Sequence, residues 1–181
     1  FNQLGKLDMS IESYEKALFI NPDFGDAHNS LGNVFNQAGQ IENALKSYDK
    51  ALSINPEHAE VYFNLGNLML DLNQLDKAVR NYEYALKLKP GIDFNFGNLV
   101  RTKMHLCSWD YFSDNLKELL KKIKQGEKTI SPFSLTALID DARIQLKNAK
   151  NFSKEITSKN NVFPKISGHL NHKKIRIGYF S

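Results

Sequence analysis

Cysteine is almost missing from this sequence: Cys107 stands alone among 181 residues. That excludes an intramolecular disulfide and a cysteine-built zinc site. Apolar runs long enough to cross a membrane are missing as well, so no membrane partner is expected. No signal-peptide pattern is visible, and the single thiol suits a reducing cytoplasm, where the protein is expected to work. Proline is scarce, at five residues, but its placement turns out to be regular. What remains, 41% hydrophobic and 24% charged residues, is enough apolar material to bury a sizeable core.

Charge is unevenly spread. Residues 1–100 carry 8 Lys/Arg against 13 Asp/Glu, a net of −5, whereas residues 101–181 carry 16 against 7, a net of +9. A basic second half invites a nucleic-acid reading. No aromatic-interleaved basic motif supports it, so nucleic acid is not an expected partner. A solvated linker packing on an acidic neighbour accounts for the pattern.

The organising feature is a repeat. "SYEKALFINPDFGDAHNSLGNVFNQAGQ" is followed by "SYDKALSINPEHAEVYFNLGNLMLDLNQ" and then by "NYEYALKLKPGIDFNFGNLV". Pro22, Pro56 and Pro90 fall 34 residues apart, and Tyr14, Tyr48 and Tyr82 keep the same interval, as do Ala17, Ala51 and Ala85. This period and these residue types resemble the tetratricopeptide (TPR) family over about residues 1–105.

The hydrophobic pattern agrees with that resemblance. From about Asp26 to Gln37, Ala27, Leu31 and Phe35 recur at helical spacing, and Gly39 interrupts them. A second helix is predicted from about Ile41 to Ile54, turning Ala44, Leu45, Tyr48, Ala51 and Leu52 inward. Asn55-Pro56 stops it, because proline lacks the amide donor and restricts the residue before it. Gly32, Gly66, Ala44 and Ala78 are small where paired helices must approach, and the tyrosines are expected between neighbouring units. All are read as core. In register Phe1 corresponds to Phe35, so the chain is expected to open halfway through a first helix, leaving Leu4, Ile11 and Leu18 without partners.

Stacked units of this kind form a groove lined by their first helices. Asparagine recurs there: Asn29 and Asn33, then Asn64 and Asn67, then Asn98, with Asn64 and Asn98 in the same register and Ser30 breaking the series. An amide side chain offers a donor and an acceptor, so a ladder of them can pair with the backbone of an extended peptide. Asn33, Asn64, Asn67 and Asn98 are the candidate peptide-binding residues. The lysine clamp of TPR domains that bind terminal carboxylates is not seen; Asp26, Glu60 and Phe63 are prominent instead.

The fourth unit begins in register and then departs. Val100 replaces the helix glycine, and "CSWDYF" stands where the turn belongs. A helix from about Tyr111 to Gln125 follows, making residues 92–126 a degenerate capping repeat that absorbs Cys107 and Trp109 structurally. His105 near Cys107 does not make a nucleophilic site. Residues 127–171 read as a linker with one helix starting after Ser131-Pro132, followed by a polar, lysine-rich stretch. Asn151-Phe152-Ser153 fits a glycosylation sequon that a cytoplasmic protein would not use. His169 and His172 lack a third ligand, so no metal is assigned. "KKIRIGYFS" alternates like a strand with nothing to pair with, and residues 172–181 are expected to be the first strand of an α/β domain absent from this chain.

The order of the TPR array, "KMHLCSWDYF", "SPFSLTALIDD…IQL" and "HKKIRIGYFS" resembles bacterial members of the O-linked N-acetylglucosamine transferase (SPINDLY-like) family. The resemblance implies an all-α TPR solenoid, a C-terminal helical linker and one terminal strand. It also implies that the chain is the polypeptide-binding region of a protein O-glycosyltransferase whose catalytic domain lies beyond Ser181 and packs on the C-terminal segment. The parent protein would then use a UDP-sugar donor and Ser/Thr acceptors. This chain itself would carry no cofactor and no catalytic residue. A non-enzymatic TPR interaction scaffold is the alternative, and residues 1–105 fit both.

Overall fold

The structure, a computed structural model, describes residues 2–157, with side chains described for residues 5–153. The strand expected over 172–181, together with His169 and His172, lies outside the described residues. Within them the chain is all helical: α1 (Asn2–Ile20), α2 (Gly25–Gln37), α3 (Ile41–Ile54), α4 (Ala59–Asp71), α5 (Leu75–Leu88), α6 (Asn95–His105), α7 (Phe112–Gln125), α8 (Pro132–Thr136) and α9 (Ala142–Thr157). The pairs α2/α3 and α4/α5 are tightly packed antiparallel hairpins, and α6 packs back on α5.

Two features of each regular unit make its hairpin. The first is a close approach of the helices. A Cβ on Gly32 would stand 2.6 Å from the Tyr48 ring, and one on Gly66 would stand 2.5 Å from the Tyr82 ring. The tyrosines expected between units therefore lie over the glycine of their own unit, because only a missing side chain leaves room for a ring there. The second is a left-handed turn residue. Gly39, Asn73 and Cys107 have φ values of 74°, 56° and 54°, and they fall 34 residues apart. Their amides reach back to the carbonyls of Asn36, Leu70 and Met104, and the following amides to those of Phe35, Met69 and Lys103. The same turn thus closes all three first helices by satisfying carbonyls at the helix end. "CSWDYF" does not abolish the turn; Cys107 adopts it.

The first helix departs from the expected pattern. Gly5 sits at the register of Gly39, yet α1 runs unbroken from Asn2 to Ile20. Helix propagation adds one hydrogen bond per residue, and nothing lies within 4 Å of where a Cβ on Gly5 would stand, so no packed partner demands a turn there.

Apolar burial forms two clusters. One comprises Ala44, Tyr48, Ala51, Val61, Leu65, Leu68, Met69, Ala78, Tyr82 and Leu99. The other comprises Leu119, Ile123, Ile130 and Leu135, with Phe96, Leu116, Leu138, Ile139 and Ile144 against it. The second cluster shows that α8 and α9 pack on α7. The expected single helix after Pro132 is in fact two helices. Ser131 caps α8, accepting from the Ser134 amide at 3.1 Å. Asp141 caps α9, accepting from the Arg143 and Ile144 amides at 2.8 and 3.2 Å. This second cap, a carboxylate, is the signal that separates the helices.

Candidate polypeptide-binding face

The first helices α2, α4 and α6 are cross-linked side by side. Asn64 Nδ2 donates to Asn29 Oδ1 at 2.9 Å, and Asn98 Nδ2 donates to Asn67 Oδ1 at 3.1 Å. His58 Nε2 and Asp26 Oδ1 are 2.8 Å apart, and His58 Nδ1 lies 3.3 Å from Glu60 Oε2. Glu60 also pairs with Lys89, and chiefly that hydrogen bond holds its carboxyl below the usual carboxylate range. Asp26 therefore joins its unit to the next through His58, and Glu60 holds that histidine and Lys89 within its own unit.

A second set of bonds fixes the amides from below. Tyr48 donates its phenol proton to Asn33 Oδ1 at 2.7 Å, and Tyr82 does the same to Asn67 Oδ1 at 2.8 Å. Burial pushes both phenols far above their ordinary pKa, so they stay protonated donors. Each ring thus fills the space above a glycine and uses its polar end to orient an asparagine on the inner face.

All four candidate residues lie on α2, α4 and α6 and are half-buried. Asn67 and Asn98 are brought together, whereas Asn33 and Asn64 are tied to different partners. Their remaining capacity follows from the bond inventory. Asn67 Oδ1 is used twice, which leaves its Nδ2 donors, and Asn98 Nδ2 is used, which leaves its Oδ1 acceptor. A donor and an acceptor fixed side by side match the carbonyl and amide of one peptide unit.

Sequence reasoning missed three residues near this face. Arg101 continues the register of Asn33 and Asn67, and its positive charge acts on the Tyr82 phenol. Asn95, fully buried at the start of α6, donates to the Tyr82 carbonyl at 3.3 Å. Gly97 admits the 128–130 segment: the Phe94 amide bonds to the Lys128 carbonyl and the Gly97 amide to that of Thr129. Asn151, the sequon residue, is 1% exposed and donates to the Ile123 carbonyl at 2.8 Å. It ties α9 to α7 and is not presented for modification.

Among the described residues no group of three His, Cys, Asp or Glu could hold a metal. No helix there is long and apolar enough to cross a membrane.

This is the architecture of a repeat protein that presents an inner face. Family comparison matches the TPR repeat over residues 1–39 and 32–73 and the tetratricopeptide repeat over residues 59–92. The chain belongs to the tetratricopeptide-repeat family. Comparison with curated proteins gives no match. Among solved structures the chain is similar to MamA, with 22% identity, TM-score 0.58, and coverage of 69% of this chain and 68% of that one. It is also similar to a Thermobaculum terrenum O-GlcNAc transferase mutant, with 24% identity, TM-score 0.51, and coverage of 56% of this chain but only 20% of that one. A third is the first TPR of Spaghetti (RPAP3) bound to an HSP90 peptide, with 21% identity, TM-score 0.53, and coverage of 60% and 86%. At these identities the likeness establishes the fold alone.

Proposed function

We propose that the face built by α2, α4 and α6 holds an extended polypeptide, and that this chain is the acceptor-binding region of a protein O-glycosyltransferase. The observation that carries the first half is the Asn67–Asn98 pair, whose unused donor and acceptor are oriented by Tyr82 and by each other. The RPAP3 repeat, bound to an HSP90 peptide, supports peptide binding by a fold of this kind. The second half rests on the order of "KMHLCSWDYF", "SPFSLTALIDD" and "HKKIRIGYFS" and on the likeness to the O-GlcNAc transferase. In this reading residues 172–181 open the catalytic domain, and both the UDP-sugar donor and the catalytic residues belong to that domain. A non-enzymatic interaction scaffold is the second reading. The MamA likeness extends over more of the chain than the transferase likeness does, so the fold by itself does not single out a transferase.

The test is peptide binding by fluorescence anisotropy, with helix content followed by circular dichroism. Replacing Asn64 and Asn98 together by Ala should weaken binding roughly tenfold, as loss of one or two hydrogen bonds to a peptide backbone would, with helix content unchanged. Unaltered affinity would sink the groove reading. Transfer of labelled sugar from UDP-N-acetylglucosamine by the whole natural protein separates enzyme from scaffold.

A further inference from the structure

Beyond Asn98 the inner stripe of α6 continues, at helical spacing, through Arg101 to His105. There it meets a cavity of about 300 Å³ between α6 and α8, lined by Arg101, Met104, His105, Phe133, Ala137 and Leu138. Arg101 Nε is buried and has no hydrogen-bond partner. Among the described residues Arg101 makes no ion pair; its neighbour Lys103 is the one that pairs with a carboxylate, Glu83, at 2.6 Å. Asp71 bears on the Tyr82 phenol with the opposite sign to Arg101 but forms no ion pair with it. Phe133 is 87% exposed, so a large apolar surface stands at the cavity mouth.

The Arg101 guanidinium thus stands without an ion-pair partner among the described residues, at the edge of an apolar cavity and in line with Asn98. Nε is closed to solvent, which leaves the terminal amino groups of Arg101 as the donors a carboxylate in the cavity meets, through charge-assisted bonds. We propose that this cavity receives an internal Asp or Glu side chain of the polypeptide lying along Asn67 and Asn98, with an adjacent apolar side chain packed against Phe133 and Leu138. The inference rests on the groove reading above and adds a sequence preference to it. One guanidinium serves a side-chain carboxylate. The paired cations of a terminal-carboxylate clamp are not there.

The experiment uses the full chain and two short fluorescein-labelled Gly/Ser peptides with amidated C-termini, one with a central Glu-Leu step and one with Gln-Leu. The Glu peptide should bind about tenfold tighter, as expected for one charge-assisted bond, and added salt should shrink the difference. Arg101→Met should bring the Glu peptide down to the Gln peptide's affinity and leave the latter unchanged. Arg101→Lys, which keeps the charge, should retain part of the preference and guards against a folding defect. Equal binding of the two peptides to the parent chain overturns the proposal. So does an Arg101→Met variant that weakens both alike, or failure of the Glu peptide to bind. A Gln peptide with a free C-terminus that gains an Arg101-dependent advantage would reassign the site to a terminal carboxylate and overturn it too. If the joint Asn64→Ala and Asn98→Ala exchange leaves both affinities intact while Arg101 still discriminates, the amide ladder falls and the carboxylate site stands.

Discussion

In the hairpins α2/α3 and α4/α5, each first helix places a glycine beneath a tyrosine ring of the second helix. In α6 and α7 the same register holds Val100 and Leu116, and the glycine has moved three residues back to Gly97, where backbone replaces the ring. A Cβ on Gly97 would stand 2.4 Å from the Thr129 carbonyl oxygen and 2.9 Å from Ile130 Cα. The regular units close on themselves, helix on helix. The last unit is opened, and the chain returning after α7 is threaded against the start of α6. The regular mode repeats indefinitely and leaves an open end. The threaded mode ends the series, because Lys128 and Thr129 carbonyls take up amides of the α6 start that a side-chain cap would otherwise satisfy.

The comparison is sharpest at the two kinds of glycine. Gly97→Ala places a methyl against backbone, which cannot rotate away, and should destabilise the C-terminal assembly by about 3 kcal/mol. Hydrogen exchange should show lost protection in α6, α7 and α9, with α3 to α5 far less affected. A uniform loss across all helices would mean that the two clusters unfold as one unit.

Gly66→Ala meets a ring, and alanine returns up to about 1 kcal/mol of helix propensity, so a net loss of about 1–2 kcal/mol is expected. Adding Tyr82→Leu recreates the Val100/Leu116 kind of pairing. The double variant should be less destabilised than the two single losses combined, a coupling readable in a double-mutant cycle by urea denaturation. Strict additivity would show that ring and glycine are not in conflict. The same double variant removes the Tyr82 phenol, so it should also loosen Asn67 and weaken peptide binding.

How much of this was legible follows from where the information sits. The interval between Pro22, Pro56 and Pro90 fixed the unit, and α2 and α3 end within a residue of their expected limits, because apolar spacing, glycine and Asn-Pro all act locally. The candidate asparagines were legible as a stripe, but their orientation was not. It depends on Tyr48 and Tyr82, 15 residues away from their acceptors, and these tyrosines read as core. The C-terminal assembly was harder still. Asn148 and Asn151 are polar residues among lysines in the sequence, yet both are buried and donate to the carbonyls of Ile130 and Ile123. Nothing in their sequence neighbourhood announces a long-range backbone partner. Arg101 and Gly97 are exceptions to the repeat, visible only when each is compared with Asn67 and Phe63 at the same register.

Cys107 supplies the finest test of that register. Its left-handed backbone, shared with Gly39 and Asn73, is one that a side chain with a Cβ disfavours. The turn is kept because the amides of Cys107 and Ser108 reach the carbonyls of Met104 and Lys103, whatever the side chain is. If geometry alone selects this position, Cys107→Gly should raise stability by about 0.5–1 kcal/mol, the relief of strain being partly offset by a more flexible unfolded chain. Gly39→Ala should lower it by a similar amount for the converse reason. Thermal unfolding of the two variants reads both signs. A destabilised Cys107→Gly variant would show that the thiol makes a contact of its own and that the last turn is more than a copy of the first two.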